Sequence, residues 1–370
     1  MGQAPIDQQQ KRARSAWAMA LTALGIAPVN FVVWIYSLSS RHSNLIGLFL
    51  FLAFAQLVCG IVAIVFGVRS QRVGATVTGV LAAVGAVAGG FLGLVGMALG
   101  AAGGAWGRPL RVRGRQLHPT LRNGADWTAG ERPCATGLDP ATRTALATLW
   151  WHDAQKEHAS VPAFSRVSWL LAAAGAPADL LEWAHRAAIE EIEHTKACFA
   201  LAAGYAGYSR TVEPMPDLLL GRFDPRVDPR VVLAVESLTD GCQLEDFNAD
   251  VAAECANVCE EPVTRAVLER IAREERSHAE FSWAVLDWAL AHHRDAVADA
   301  IEAALQSLER YPRPTAVARE YAELVRSANE SLLRKHGRLP DARWASIWET
   351  RLVETPRRVR ARMDAVARAA

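Results

Sequence analysis

The sequence predicts an all-α protein in two parts: N-terminal transmembrane helices, then a four-helix bundle with extra C-terminal helices. Three observations carry this. The 370-residue chain keeps almost all of its charge after residue 106. From Thr142 onward apolar residues recur at helical spacing, and strand-like alternation is scarce. Two of the apolar-striped segments carry the same pattern, "EEIEH" ending at His194 and "EERSH" ending at His278.

In the first part, residues 17–38 and 45–67 each supply about the 20 apolar residues that cross a bilayer core. Residues 73–106 are glycine-dense and too long for one untilted span. Three spans are expected, with four as the alternative if Gly89 and Gly90 fold this stretch into a hairpin. Basic residues flank the spans at Lys11, Arg12 and Arg14, at Arg69 and Arg72, and at Arg108, Arg111, Arg113 and Arg115. By the positive-inside preference both counts put the following domain in the cytoplasm. No ionisable residue lies deep in the spans, so the expected role is an anchor, not a conduit. The expected division is an anchor over 1–107, an Arg/Pro/Gly-rich linker over 108–140, the bundle over 141–293 and a helical extension over 294–370.

The bundle follows from its punctuation. Helix one is expected over 141–174, stopped by Gly175-Ala176-Pro177, and helix two over 178–203, stopped by Gly204. A proline-rich stretch, 205–229, follows. Helix three is expected over 231–259, broken at Glu260-Glu261-Pro262, and helix four over 263–292. Short, long and short connections suit a bundle with one crossover. Beyond Asp295 the chain reads as helical with proline breaks. Its last helix, basic and amphipathic, suits either an anionic membrane surface or the flank of the bundle.

One Glu-x-x-His on a helix says little. Here Glu191 with His194 and Glu275 with His278 lie at matching depth behind the prolines that open their helices, Pro177 and Pro262. Glu182 with His185 is an internal control. It stands about 900° of helix, at roughly 100° per residue, from Glu191, so it faces the other way, and helix four holds no counterpart. Two such pairs on facing helices call for one carboxylate from each remaining helix to complete a dinuclear site. Helix one offers Glu157. Helix three offers Glu236, Asp240 and Glu245, of which Glu245 matches the distance of Glu157 from its turn, with Asp240 next. The candidate ligands are Glu157, Glu191, His194, Glu245, Glu275 and His278. Oxygen-rich ligation with two imidazoles suits two iron ions, with manganese possible. Glu190, Glu193 and Glu274 are expected at the surface or bracing the ligands. Cys198 and Cys242 lie near the ligands, and Cys255 and Cys259 one turn apart; burial as small apolar residues is the expected role of all four.

Over about 149–290 the chain resembles the ferritin-like diiron-carboxylate superfamily, in particular bacterial ferritin-like-domain proteins with an "EHAS" helix and a "GC" helix. Asp240 stands where similar proteins often carry Glu before Gly-Cys. The resemblance implies a ferritin-like bundle and an oxidoreductase that oxidises a substrate or Fe(II) with O2 or peroxide. The alternative is a non-catalytic iron-handling, sensing or scaffold protein. A cysteine set of rubredoxin type is lacking, so an external electron donor or a small-molecule substrate is the expected partner, besides the membrane bilayer and a possible homo-oligomer. A net charge of +1 gives no reason to expect nucleic acid. The expected localisation is a multi-pass membrane protein.

Overall fold

The computed structural model describes residues 107–369 apart from 113–114, 222–226, 309 and 312. They fall within one compact unit, Gly100–Ala370. Two antiparallel strands, β1 (Arg111–Val112) and β2 (Arg115–Gln116), come first, and β3 (Leu121–Asn123) pairs with β4 (Arg210–Val212) with Arg122 opposite Thr211. Helix α1 spans Pro140–Ala174 and α2 Ala178–Ala206. The third rod is composite: α3 (Pro229–Glu236), a π-helix (Ser237–Glu245) and α4 (Asp246–Val258). Then come α5 (Pro262–Leu308), the short α6 (Ala322–Arg326) and α7 (Glu330–Lys335), and α8 (Asp341–Ala369).

The helix ends have local causes. The Asp139 carboxylate accepts from the backbone N–H of Thr142 at 2.9 Å, and Pro140 starts α1 without losing a bond it needs. Gly175, at φ 72°, ends α1 in the left-handed conformation glycine adopts freely. The buried Glu261 caps α5 by accepting from the Thr264 N–H at 2.6 Å. Gly204 is not the expected stop: α2 runs on to Ala206, and a side chain at 204 would collide with Pro133. Its glycine admits a neighbouring chain. Helix α5 likewise outruns the expected end at 292, with a kink at His293.

Short turns make α1 and α2 neighbours and α4 and α5 neighbours, and α1 packs on α3 while α2 packs on α5. Apolar residues of these rods, among them Phe164, Leu171, Leu180, Ala184, Leu233, Phe281 and Val285, form a core cluster. The stretch expected as a linker lies against the bundle, with Arg108 and Leu110 buried. The last helix is clamped to it. Arg351 and Arg358 reach the buried Asp246, Arg362 reaches Asp287, and the guanidinium groups of Arg358 and Arg362 lie 4.0 and 4.5 Å from the Trp283 ring.

One expectation is corrected. Among the described residues no helix is long and apolar enough to cross a membrane. Even the longest, α5, carries charged residues along its first six turns and beyond. The stretches expected as spans, 17–38, 45–67 and 73–106, lie outside the described residues. The fold class is therefore corrected to a mostly helical chain, and the multi-pass membrane localisation is withdrawn with it.

Candidate metal centre

Next to this apolar cluster, where Phe164 meets the His278 ring, the bundle interior turns polar. On α2 the buried positions Ala184, Ala187, Ala188, Glu191, His194, Thr195 and Cys198 follow i, i+3, i+4, i+7 spacing, so Glu191 and His194 occupy the stripe that the rest of the helix fills with apolar groups. Leu268, Ile271, Glu275, His278 and Ser282 do the same on α5, and Glu157 sits between Ala154 and Ser160 on the buried side of α1. Glu245 ends the π-helix. All six residues, Glu157, Glu191, His194, Glu245, Glu275 and His278, are 0% exposed.

Five of them converge. His194 Nδ1 lies 3.5 Å from Glu191 Oε2, 3.8 Å from Glu157 Oε2 and 3.9 Å from Glu275 Oε1. His278 Nδ1 lies 3.4 Å from Glu191 Oε1 and 4.0 Å from Glu275 Oε2. One ligand atom each from Glu157, Glu191, His194 and Glu275 falls within 4.8 Å of the others. Glu245 joins them electrostatically through Glu191, Glu275 and His278, and Asn248 Nδ2 donates to its Oε2 at 3.2 Å.

These separations are too long for hydrogen bonds among the groups themselves. They suit donors spread around an ion at about 2.0–2.2 Å, which then stand roughly 3–4 Å from one another. Nine buried atoms of these six residues have no hydrogen-bond partner: both oxygens of Glu157, Glu191 and Glu275, Glu245 Oε1, and Nδ1 of His194 and His278. Each such group costs about 1–3 kcal/mol when left unsatisfied, more when charged. Native interiors rarely leave such a cluster without a partner.

The outer nitrogens are occupied. His194 Nε2 donates to Glu274 at 2.6 Å and His278 Nε2 to Glu190 at 2.9 Å, fixing both rings with Nδ1 inward. Glu190 and Glu274 thus brace the histidines from the partly exposed rim. Glu193 pairs with Lys196 instead.

Without a metal the group is held by protons. Burial, then Glu191, pushes the Glu157 carboxyl well above the usual range, against the pull of His194. Burial and the neighbouring carboxylates do the same to Glu275, and burial raises Glu245. Burial also opposes ionisation of Glu191, but the two imidazoles beside it favour its charged form and hold it below the usual range. Burial would lower both histidines. Their carboxylate neighbours win, raising His194 well above its ordinary value and His278 to about 9.

The other acids of the third rod are already paired. Asp240 receives Arg111 at 2.5 Å, and Glu236, part-exposed, receives Arg166 at 2.7 Å. His185 is exposed and contacts Ser168 Oγ at 3.0 Å. Cys198, Cys242, Cys255 and Cys259 are buried and free, and burial raises each thiol, Cys255 to about 12 and Cys259 to about 11. Sequence reasoning missed Asn248, although an amide one turn after Glu245 on a buried face was a visible signal. It also missed Gly107, for which no local signal exists.

The chain thus provides a buried carboxylate–histidine group able to hold a metal ion. No protein-family model, curated protein or solved structure matches it.

Proposed function

We propose that Glu157, Glu191, His194, Glu245, Glu275 and His278 hold two iron ions, or two manganese ions, in a ferritin-like dinuclear site that serves oxidation by O2 or peroxide. The carrying observation is the set of nine unpartnered buried atoms contributed by all six residues. Charge supports the number: four carboxylates with two neutral imidazoles balance two divalent cations, whereas one cation leaves two buried negative charges that only protons can offset. Carboxylate oxygen with imidazole favours iron or manganese among the transition metals.

Two such ions, when bound, supply two electrons for reduction of dioxygen or peroxide. The chain's own part is to hold, shield and protonate. Glu191 presents one oxygen to each imidazole and would help to hold the ions. Glu190 and Glu274, part-exposed, link the buried imidazole Nε2 atoms to solvent and can carry protons between them. Phe164 packs 5.0 Å from the His278 ring and keeps water from that side. Complete burial of the six residues favours small reactants, O2, peroxide and Fe(II), over a bulky organic substrate at the metal. A non-catalytic iron-handling role uses the same site.

The test is metal analysis of the full chain after anaerobic Fe(II) loading, followed by an oxygen-uptake trace on admitting air. Two ions per chain with uptake supports the reading. Zero or one tightly held ion sinks it, and two ions without uptake leaves iron handling in place of oxidation.

A further inference from the structure

The two histidines are each braced by an outer carboxylate, but α1 and the third rod contribute a carboxylate and no histidine. Glu245 is braced from α4 of the same rod by Asn248, and both Asn248 and Glu157 meet a segment from outside the bundle. The backbone at Gly107, φ +70°, lies so close to α1 that a side chain there would collide with Ser160 Oγ and come within 3.0 Å of Glu157 Oε2. The Gly107 carbonyl accepts from Asn248 Nδ2 at 3.4 Å, and that same amide donates to Glu245 Oε2 at 3.2 Å. Ser160 Oγ donates to the Arg108 carbonyl at 3.1 Å. Arg108 itself is buried, with Nη2 donating to the Glu236 carbonyl at 3.1 Å, Nη1 3.4 Å from Ser282 Oγ, and its guanidinium 5.3 Å from the Phe164 ring centroid. The strap is therefore tied to α1, to the third rod and to α5, beside Glu157 and the Asn248 amide that holds Glu245.

We propose that Gly107–Arg108 and Asn248 are positioning residues of the metal site. Asn248 holds Glu245 by Oε2 and leaves Oε1 free for the centre, while the Gly107 backbone walls Glu157 against the ligand group. The inference rests on the metal reading of the site. It adds that part of the site's organisation comes from a segment preceding the bundle. A side chain at 107 displaces the strap from Glu157 and Asn248 together. Loss of the 248 amide frees Glu245 to rotate.

The experiment uses the full-length chain and its Asn248→Leu, Asn248→Gln, Gly107→Ala and Gly137→Ala variants. Gly137 also has positive φ, +81°, but a side chain there meets nothing within 4 Å, so its variant reports backbone strain alone. Anaerobic Co(II) titration reads affinity, and the visible Co(II) absorption reads coordination. Far-UV circular dichroism checks the fold. N248L and G107A are expected to lose about 10–100-fold in affinity for one of the two ions, the usual effect of removing an outer partner of a ligand. Their Co(II) spectra should change, whereas N248Q recovers part of the loss and G137A matches wild type. Wild-type affinity and spectrum in N248L and G107A overturn the proposal, as does an equal loss in G137A. Should N248L not fold, N248Q decides: an unchanged spectrum overturns the proposal and a shifted one supports it. A wild-type chain that binds no Co(II) overturns the metal reading itself and this inference with it.

Discussion

His194 and His278 turn inward through Nδ1 because Glu274 and Glu190 hold their Nε2 atoms. Replacing either by alanine removes one inward donor and releases a rim carboxylate. H194A and H278A are expected to drop from two bound ions to one or none, and H185A, altered on an exposed face, to retain both. Metal analysis of the three purified variants checks this; equal loss in all three contradicts the assigned helix phase. The same logic separates Glu245 from Glu236. Glu245 is fully buried with an unpartnered oxygen, whereas the Glu236 side chain is 27% exposed and paired with Arg166. E245A should weaken binding of one ion by at least tenfold. E236A should leave metal content alone and cost at most about 1 kcal/mol of stability, the range of a part-exposed ion pair. A titration giving the reverse order assigns the third-rod ligand to Glu236. These candidates were legible in the sequence because Glu-x-x-His is a local pattern on a stripe of known period. Gly107 was not. Its contact with Asn248 joins positions 141 apart in the chain, and only tertiary packing creates it.

At the scale of elements, the helices announced themselves where chemistry punctuates them. Gly175 and Glu261-Pro262 mark real boundaries, and α1 and α3 open one and two residues before their expected starts, at Asp139-Pro140 and Asp228-Pro229. Gly204 misled, since a helical glycine admitting Pro133 looks the same in sequence as a helical stop. The π-helix was invisible because its widened turn does not follow the 3.6-residue period from which helices are read. Gly241 is its one trace: a side chain there would collide with Ser282, so glycine lets the π-helix lie close against α5. The open choice over the basic last helix is met by packing on the bundle, and its anchor is Asp246. That buried carboxylate receives Arg276, Arg358 at 2.9 Å and the Trp283 indole N–H at 3.0 Å, with Arg351 at 3.6 Å. D246A strands this cluster of cations and the indole donor. It is expected to cost about 3–5 kcal/mol, the usual cost of breaking a buried charge network by removing one side. R358A, at a 34% exposed side chain, should cost much less. Chemical denaturation of both variants reads the difference, and a D246A loss no larger than that of R358A removes Asp246 from the role of anchor.

For the molecule as a whole, protons and metal compete for one group of ligands, so stability must depend on pH in opposite senses with and without metal. In the metal-free chain Glu157, Glu245 and Glu275 have folded values raised above the ordinary 4.5. The stability they give is complete below that value and is lost as pH rises through their folded values. His194 and His278 act in the same sense above 6.5, and for His278 the loss runs from there to about pH 9. Glu191, lowered, acts oppositely, but its contribution is already complete above 4.5 and does not change at neutral pH. The metal-free protein should therefore lose stability between about pH 6 and pH 8. Metal requires the same groups deprotonated, so its affinity rises over that interval. At a ligand concentration of about 100 times Kd, binding adds roughly 2.7 kcal/mol, and more as Kd falls. The gap in Tm between Mn(II)-loaded and metal-free protein should widen from pH 6 to pH 8, and should be lost at both pH values in a chain carrying H194A and H278A together. A gap that stays flat or narrows in the wild type means that protons and metal do not share these ligands.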